Sequence, residues 1–249
     1  MGIYYTEGII LKHQDFREAD RLLTVFTKNY GKIQGLAKGS RKISSKLAGN
    51  LEPFIEANLM VVRGRNMETV AGAEVIKNFS SLKKNYEAVS LANYFSEVID
   101  RSMKPHQREL HVYSLLLEVL GYLDSNMIST DKLPQIKWFF IWHYLSHLGY
   151  HPELFKCQSC GQPLANNHNF FSLRKGGIID GQCHQGSDAG SLPASENVIK
   201  VLRHLLGGEI KTITRLKISR ELGINLEGIT NAFLNFTQEQ RLNMPGVPL

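Results

Sequence analysis

The feature that most constrains the fold of this sequence is a change of hydrophobic period near residue 80. Before it, β-rich runs follow one another, separated by Gly, Asn or charged turns. After it, apolar residues recur at intervals of three or four. A period of two predicts strands, and a period near 3.6 predicts amphipathic helices. The sequence therefore predicts an α+β protein whose strands come first and whose helices follow.

The first segment predicts a small β-barrel. Five short β-rich runs occupy residues 3–77, and five strands in so short a stretch suit a closed, OB-like barrel. A small SH3-like barrel would give nearly the same pattern, so the strand order is left open. A polar and basic segment at residues 38–53 separates the third and fourth runs. Loops of that length are usually functional or disordered.

The second segment predicts a helical bundle with an insertion. Helical periodicity covers residues 82–148 and returns at 194–236, where Ser195 is the predicted N-cap. A stretch that contains all of the cysteines lies between these two regions. We therefore expect four parts, namely an OB-fold domain at 1–80, a first helical part at 81–155, a zinc-ribbon-like insertion at 156–190 and a second helical part at 191–249.

The insertion predicts a metal site whose fourth ligand is unusual. A Cys-x-x-Cys pair begins at Cys157, but only Cys183 follows it, whereas a tetrahedral zinc site takes four ligands. Asp180 has the spacing of the first residue in a second such pair, and a carboxylate is an accepted zinc ligand. His184 and His168 are rival ligands, and three buried thiols without metal are the structural alternative. The residues predicted to bind structural zinc are Cys157, Cys160, Asp180 and Cys183.

The three cysteines and the hydropathy pattern predict a cytoplasmic protein. An odd, clustered set of cysteines fits a metal site better than a disulfide framework, which indicates a reducing compartment. No run reaches the ~20 apolar residues that a membrane helix needs. The N-terminus lacks the basic start and the cleavage site of a signal peptide. We expect no membrane partner.

The sequence shows no recognisable catalytic motif. The segment around Gly39 lacks the second glycine that a Walker A phosphate loop requires before its Lys-Ser/Thr pair. His143 and His147 lie one helical turn apart, but Tyr144 stands where a metalloprotease has glutamate. We therefore predict a binding protein rather than an enzyme.

The positive charge is concentrated in the barrel segment. The net charge is +6, and residues 28–65 hold eight Lys or Arg against Glu52 and Glu56. A local excess of this kind is typical of proteins that bind polyanions, although a merely solvated face is the alternative. Tyr30 and Phe54 are near enough in sequence to supply base stacking. No recognition helix is apparent, so we expect little sequence specificity.

The order of these features resembles RecO, the bacterial recombination mediator family, over nearly the full chain. The resemblance lies in Glu-Ala-Asp at residues 18–20, Lys-Gly-x-Arg-Lys at 38–42 and Leu-x-Pro-Phe at 51–54. The segments 148–161 and 170–183 are similar to the family's zinc segment. The sequence departs from the family at Asp180, where many relatives have cysteine.

The resemblance implies a protein that binds single- and double-stranded DNA and anneals complementary strands. It also implies contact with the C-terminal tail of single-stranded-DNA-binding protein (SSB), cooperation with RecR in loading RecA, and association with the nucleoid. An RNA-binding or ribosome-associated adaptor is the alternative, and dependence on the 2′-OH would distinguish it. The residues expected to contact DNA are Arg17, Arg21, Lys38, Arg41, Lys42, Lys46, Arg63 and Arg65.

Overall fold

The computed structural model describes residues 2–65, 67–125, 129–164, 168–184 and 190–243, with only the backbone described for residues 239–243. The chain divides into two compact units, Met1–Thr130 and Asp131–Leu249. Parts of the predicted insertion, at residues 165–167 and 185–189, lie outside the described residues. The four-part domain division stays a prediction.

The described residues of the first unit form five strands and two α-helices. The strands are β1 (Ile3–Phe16), β2 (Asp20–Thr27), β3 (Gly31–Ala37), β4 (Glu56–Val62) and β5 (Glu68–Lys77). A short 3₁₀ helix at Leu82–Lys84 precedes α1 (Tyr86–Ser102) and α2 (Leu110–Asp124), and another lies at Thr130–Lys132, where the two units meet in sequence.

The five strands close into a barrel in the order β1-β2-β3-β5-β4. Neighbouring strands are antiparallel except β3 and β5, whose parallel pairing matches Gly35 with Glu68 and closes the barrel. This arrangement is that of an OB-fold barrel and confirms the predicted fold class. Alternate residues point inward, and the barrel core includes Ile10, Leu23, Val25, Ile33, Leu59, Val61 and Val70.

The outer face of β1 and β2 is buried as well. Ile9, Leu11 and Phe26 are almost completely buried although they alternate with the residues of the barrel core. The ring of Tyr113 in α2 lies 6.2 Å from that of Phe26, and the Tyr113 hydroxyl donates to Glu56 Oε1 at 3.0 Å. The helices therefore cover one side of the barrel.

The linker between α1 and α2 lies against the start of β3. The backbone N–H of His106 donates to the carbonyl of Lys32 at 2.9 Å. Gly31 has a φ of 65°, and a Cβ on it would lie 2.1 Å from the carbonyl oxygen of Gln107. Only glycine accommodates both this backbone conformation and this approach.

In the part of the second unit that the structure describes, four helices accompany a three-stranded sheet. The helices are α3 (Leu133–His147), α4 (Glu196–Gly207), α5 (Ile210–Ile213) and α6 (Arg220–Asn243), and the sheet pairs β6 (Phe170–Ser172) with β7 (Gly177–Ile179) and β8 (Leu192–Pro193). Its core is aromatic, since the Trp142 ring stacks on Phe233 and meets Phe171 edge-on.

Two further features of the helices are the N-cap of α4 and the length of the apolar segments. The side chain of Ser195 accepts a hydrogen bond from the N–H of Val198, which confirms the predicted N-cap of α4. Within the described residues, no helix is long and apolar enough to span a lipid bilayer.

Candidate nucleic-acid interface and metal centre

The basic loop after β3 is fixed to the turn between β1 and β2. The N–H of Gly39 donates to Asp20 Oδ1 at 2.7 Å, and the N–H of Arg41 donates to the carbonyl of Ala19 at 2.9 Å. The Arg41 guanidinium lies 3.3 Å from Asp15. The structure therefore brings two regions of the predicted DNA-binding surface together at one end of the barrel.

Most of the predicted basic residues in these two regions are exposed. Lys38, Lys42 and Lys46 are exposed and form no ion pair with any part of the chain that the structure describes. Arg17 is also exposed, in the β1–β2 turn, with its guanidinium 5.2 Å from the ring centre of Phe16. These side chains are free to approach a phosphate.

Arg21 is placed differently. Its Nη1 donates to Glu52 Oε1 at 2.8 Å, and its side chain is only 18% exposed. Burial favours a raised pKa for Glu52, but hydrogen bonds from Arg21 and His13 outweigh it and hold the pKa below its usual value. Arg21 is thus engaged in an internal ion pair, and its role in DNA binding stays a prediction.

The hairpin between β4 and β5 carries Arg63 and Arg65, both exposed. The guanidinium of Arg63 lies 5.3 Å from the ring centre of Tyr4 and 5.9 Å from that of Tyr30. The two tyrosine rings are 4.2 Å apart, and the Tyr4 hydroxyl donates to Glu68 Oε1 at 2.8 Å. Burial is the main cause that raises the pKa of Tyr4, so it remains a neutral phenol.

An open cleft of about 590 Å³ lies beside this hairpin and the first half of β3. Sequence reasoning missed it, because it depends on the parallel β3–β5 pairing and not on any motif. We call it the hairpin cleft, and its lining includes Tyr30, Gln34, Arg63, Arg65, Met67 and Glu68.

The two aromatic residues proposed for base stacking differ in burial. Phe54 is only 3% exposed, with a φ of 64°, and its N–H donates to the carbonyl of Ile10. The prediction that Phe54 supplies a stacking surface is therefore wrong, because the chain turns this ring into the interior. Tyr30 is half-buried and lines the hairpin cleft.

The four predicted metal ligands are close together in the second unit. One donor atom from each lies within 4.8 Å of all the others, in the set Cys157, Cys160, Asp180 and Cys183. Two turns present them. The first is closed by a hydrogen bond from Gly161 N–H to the Cys157 carbonyl, with Gly161 at a φ of 73°, and the second by one from Cys183 N–H to Asp180 Oδ1 at 2.8 Å. Backbone support of this kind orients ligands toward one point.

The chemistry of this cluster fits a divalent cation. Hydrogen bonding with Cys160 and then burial raise the pKa of the Cys183 thiol to about 12, because several acidic groups crowd one another. The N–H of Cys183 holds the pKa of Asp180 below its usual value. A bound cation would reverse the effect on the Cys183 thiol, since coordinating thiols are deprotonated. Three sulfur donors and one carboxylate oxygen are ligands that Zn²⁺ accepts.

The rival ligands lie outside the cluster. His184 follows Cys183 directly, but its Nε2 lies 2.6 Å from Ser191 Oγ and its ring stacks on Phe170 at 3.8 Å. His168 does not belong to the group of converging donors either. Among the described residues, Asp180 is thus the fourth donor that the geometry supports.

Comparisons with known proteins agree with this architecture. A family model described as "Recombination protein O N terminal" matches residues 1–79, and one described as "Recombination protein O C terminal" matches residues 83–244. The chain is 35% identical to DNA repair protein RecO of Dehalococcoides mccartyi strain 195 over 95% of this chain and 91% of that protein. It is 32% identical to DNA repair protein RecO of a Roseiflexus species over 96% of this chain and 82% of that protein.

Proposed function

The chain belongs to the recombination protein O family of DNA repair proteins, and on that premise we propose that it binds single- and double-stranded DNA. The observation that carries this proposal is the group of exposed lysines and arginines at one end of an OB barrel. Lysine and arginine contacts to phosphates give binding that is independent of sequence and sensitive to salt. The eight basic residues named from the sequence are the proposed contacts to DNA, whether to its phosphates or to its bases, and Arg21 is the least accessible of them.

We propose further that the bound strands are annealed. Neutralising the phosphates of two complementary strands lowers their mutual repulsion, so that bases can pair without any covalent step. In this role the protein contacts the C-terminal tail of SSB and acts with RecR to load RecA onto coated strands. We place the SSB tail on the helical region and the DNA on the OB-fold domain of residues 1–80.

A charge-removal variant tests the binding surface. Replacing Arg41, Lys42 and Lys46 with alanine should weaken DNA binding. It should also flatten the dependence of log K on log salt by about 0.7–0.9 for each phosphate that the variant no longer neutralises. Fluorescence anisotropy of a labelled oligonucleotide at several salt concentrations measures both quantities.

The matched control removes the same charge from the second unit. Lys211, Arg215 and Lys217 are also exposed and also comprise one arginine and two lysines, so their replacement with alanine should leave the slope unchanged. Equal slopes for the two triple variants would remove the loop from the site. Annealing of SSB-coated complementary strands, with and without the SSB tail, tests the mediator role separately.

We propose a structural zinc ion at the cluster that begins with Cys157. The ion would neutralise the clustered thiolates and fix the two turns that present them. Mass spectrometry under native conditions should find one zinc per chain, and Asp180→Ala should weaken retention against a chelator while Asp180→Cys strengthens it. Equal retention by all three proteins would exclude Asp180 as a ligand.

A further inference from the structure

We propose that the hairpin cleft takes a single unstacked nucleobase of bound single-stranded DNA, with Arg63 as a planar stacking surface and not as a phosphate contact. This inference rests on the proposed DNA-binding function and assigns a specific role within it. At about 590 Å³ the cleft falls within the range of about 300–1,000 Å³ that is usual for small-molecule sites. It therefore has room for a nucleotide as well as for water.

The walls of the cleft are held in place before any ligand arrives. The Thr27 hydroxyl donates to the carbonyl of Gly31 at 2.7 Å and accepts from the N–H of Tyr30 at 3.0 Å, which fixes the turn that carries Tyr30. Tyr4 is anchored by Glu68 and packs on Tyr30 with the ring planes tilted by 48°, so both rings are held in place beside Arg63. A preorganised surface loses little conformational entropy on binding.

The hairpin that carries Arg63 is sharply folded. A Cβ on Gly64 would lie 2.2 Å from the carbonyl oxygen of Met67, so the chain closes tightly just after Arg63. Arg63 is exposed, and its guanidinium carbon lies 5.3 Å from the ring centre of Tyr4 and 5.9 Å from that of Tyr30. Its planar group can also stack on a base, since guanidinium planes serve as platforms for unstacked bases.

The charges of the cleft favour a base over a phosphate in its interior. Lys32 lines the cleft, but its Nζ lies 3.2 Å from Asp100 Oδ1 and also donates to the Asp100 carbonyl. Its ammonium group is therefore already engaged, with a carboxylate that it shares with Lys12. The carboxylate of Glu68 would repel an anion placed beside it. Arg65 is exposed and makes no ion pair within the described chain, which suits it to the adjoining phosphate.

Two substitutions separate stacking from charge. Arg63→Lys keeps the charge but removes the planar guanidinium, whereas Arg65→Lys makes the same chemical change where only charge is expected to matter. The probes are fluorescent oligonucleotides of about ten nucleotides, a length that suits one OB barrel. One probe is intact, and the others carry a single abasic sugar at each position in turn.

We expect Arg63→Lys to weaken binding of the intact probe about tenfold, because this factor corresponds to about 1.4 kcal/mol and lies within the usual contribution of one stacked base. The dependence of log K on log salt should stay unchanged, because the charge is kept. An abasic sugar at one position should weaken binding by the unsubstituted protein by a similar factor and have no further effect on the Arg63→Lys variant. Arg65→Lys should remain sensitive to the abasic sugar. Two results would overturn the inference. In one, the abasic sugar weakens binding by the Arg63→Lys variant as much as binding by the Arg65→Lys variant. In the other, no abasic position weakens binding by the unsubstituted protein.

Cross-linking then tests the location. A 5-iodouracil at the sensitive position should cross-link on irradiation to a residue that lines the cleft, such as Tyr30 or Met67, and a cross-link to another region would place the base elsewhere. Salt-dependent binding without any abasic effect would remove only the nucleobase site and leave the proposed function intact. If no probe showed salt-dependent binding, both the nucleobase site and the proposed DNA-binding function would be excluded.

Discussion

At the scale of single residues, Gly31 is the described glycine at which a side chain would come closest to the backbone of another segment. We predict that Gly31→Ala destabilises the protein by roughly 3 kcal/mol or more, because it adds a backbone clash with Gln107 to the cost of a positive φ. Gly176 has the same φ of 65°, but a Cβ on it would meet no atom within 4 Å, so Gly176→Ala should cost only about 1 kcal/mol. Urea unfolding followed by circular dichroism compares the two. If both variants lost the same free energy of unfolding, the backbone at Gln107 would have to move away from the new Cβ at little cost.

Asp100 predicts a dependence of stability on pH. Burial alone would raise its pKa, but hydrogen bonds from Lys12 and Lys32 outweigh it and lower the pKa. A depressed pKa means that the carboxylate stabilises the fold above the unfolded value of about 3.9 and loses this effect as the pH falls through the folded value. Asp100→Asn should therefore cost about 2 kcal/mol near neutral pH, with a difference that shrinks below about pH 4.

Glu97 supplies the control for Asp100. It lies on the same helix and pairs with Arg101 one turn away, but both side chains are more than half exposed. Glu97→Gln should cost less than about 0.5 kcal/mol at any pH, because exposed pairs of this kind contribute little. Urea unfolding from pH 3 to pH 7 measures both variants. If the difference in the free energy of unfolding between Asp100→Asn and the unsubstituted protein stayed constant over this pH range, ionised Asp100 would not be the source of the stabilisation.

At the scale of elements, the start of α1 depends on one side chain. The side-chain oxygen of Asn85 accepts from the N–H of Ala88 at 2.9 Å and caps the helix that carries Asp100. Asn85→Ala should lower the free energy of unfolding by about 1 kcal/mol, whereas Asn85→Asp should keep the cap and remain within a few tenths of the original. Thermal unfolding of the three proteins tests this. An aspartate variant as unstable as the alanine variant would show that another interaction at Asn85 dominates.

Local patterns were sufficient to predict the main elements and the convergence of the four candidate metal ligands. The β-rich runs between turns indicated the strands of the barrel, and the spacing of Cys157 and Asp180 from their partner cysteines indicated two turns that could share an ion. Both signals lie within a few residues of sequence. The OB strand order needed the structure, because the parallel β3–β5 pairing joins segments that no local pattern links.

Long-range partners account for what the sequence could not predict. Lys32 resembles any other member of the basic segment, but its partner Asp100 lies 68 residues away. Arg21 similarly meets Glu52 across 31 residues. Phe54 follows a proline near the end of a polar loop and gives no sign that its ring turns inward. Such contacts depend on strand register and on how the helices cover the barrel, so composition and periodicity alone cannot identify them.

At the scale of the whole molecule, the extent of the first compact unit indicates which N-terminal fragment of the chain can fold independently. The barrel core lies within residues 1–80, but Ile9, Leu11 and Phe26 on its outer face are almost completely buried. The helices after residue 80 tie onto the barrel through Tyr113 and Asp100. A fragment of residues 1–80 would expose three apolar side chains, at a cost of roughly 5 kcal/mol, which approaches the whole stability of a typical domain.

We therefore predict that residues 1–130 fold alone and that residues 1–80 do not. The longer fragment should give dispersed amide signals in NMR spectra and a cooperative urea transition, because it keeps both the barrel core and its helical cover. The shorter fragment should give neither. A cooperative transition for residues 1–80 with the same midpoint as for residues 1–130 would show that the barrel is autonomous and that α1 and α2 contribute little to its stability. The boundary at residue 80 would then divide two folding units, and the one after Thr130 would not mark the end of the first.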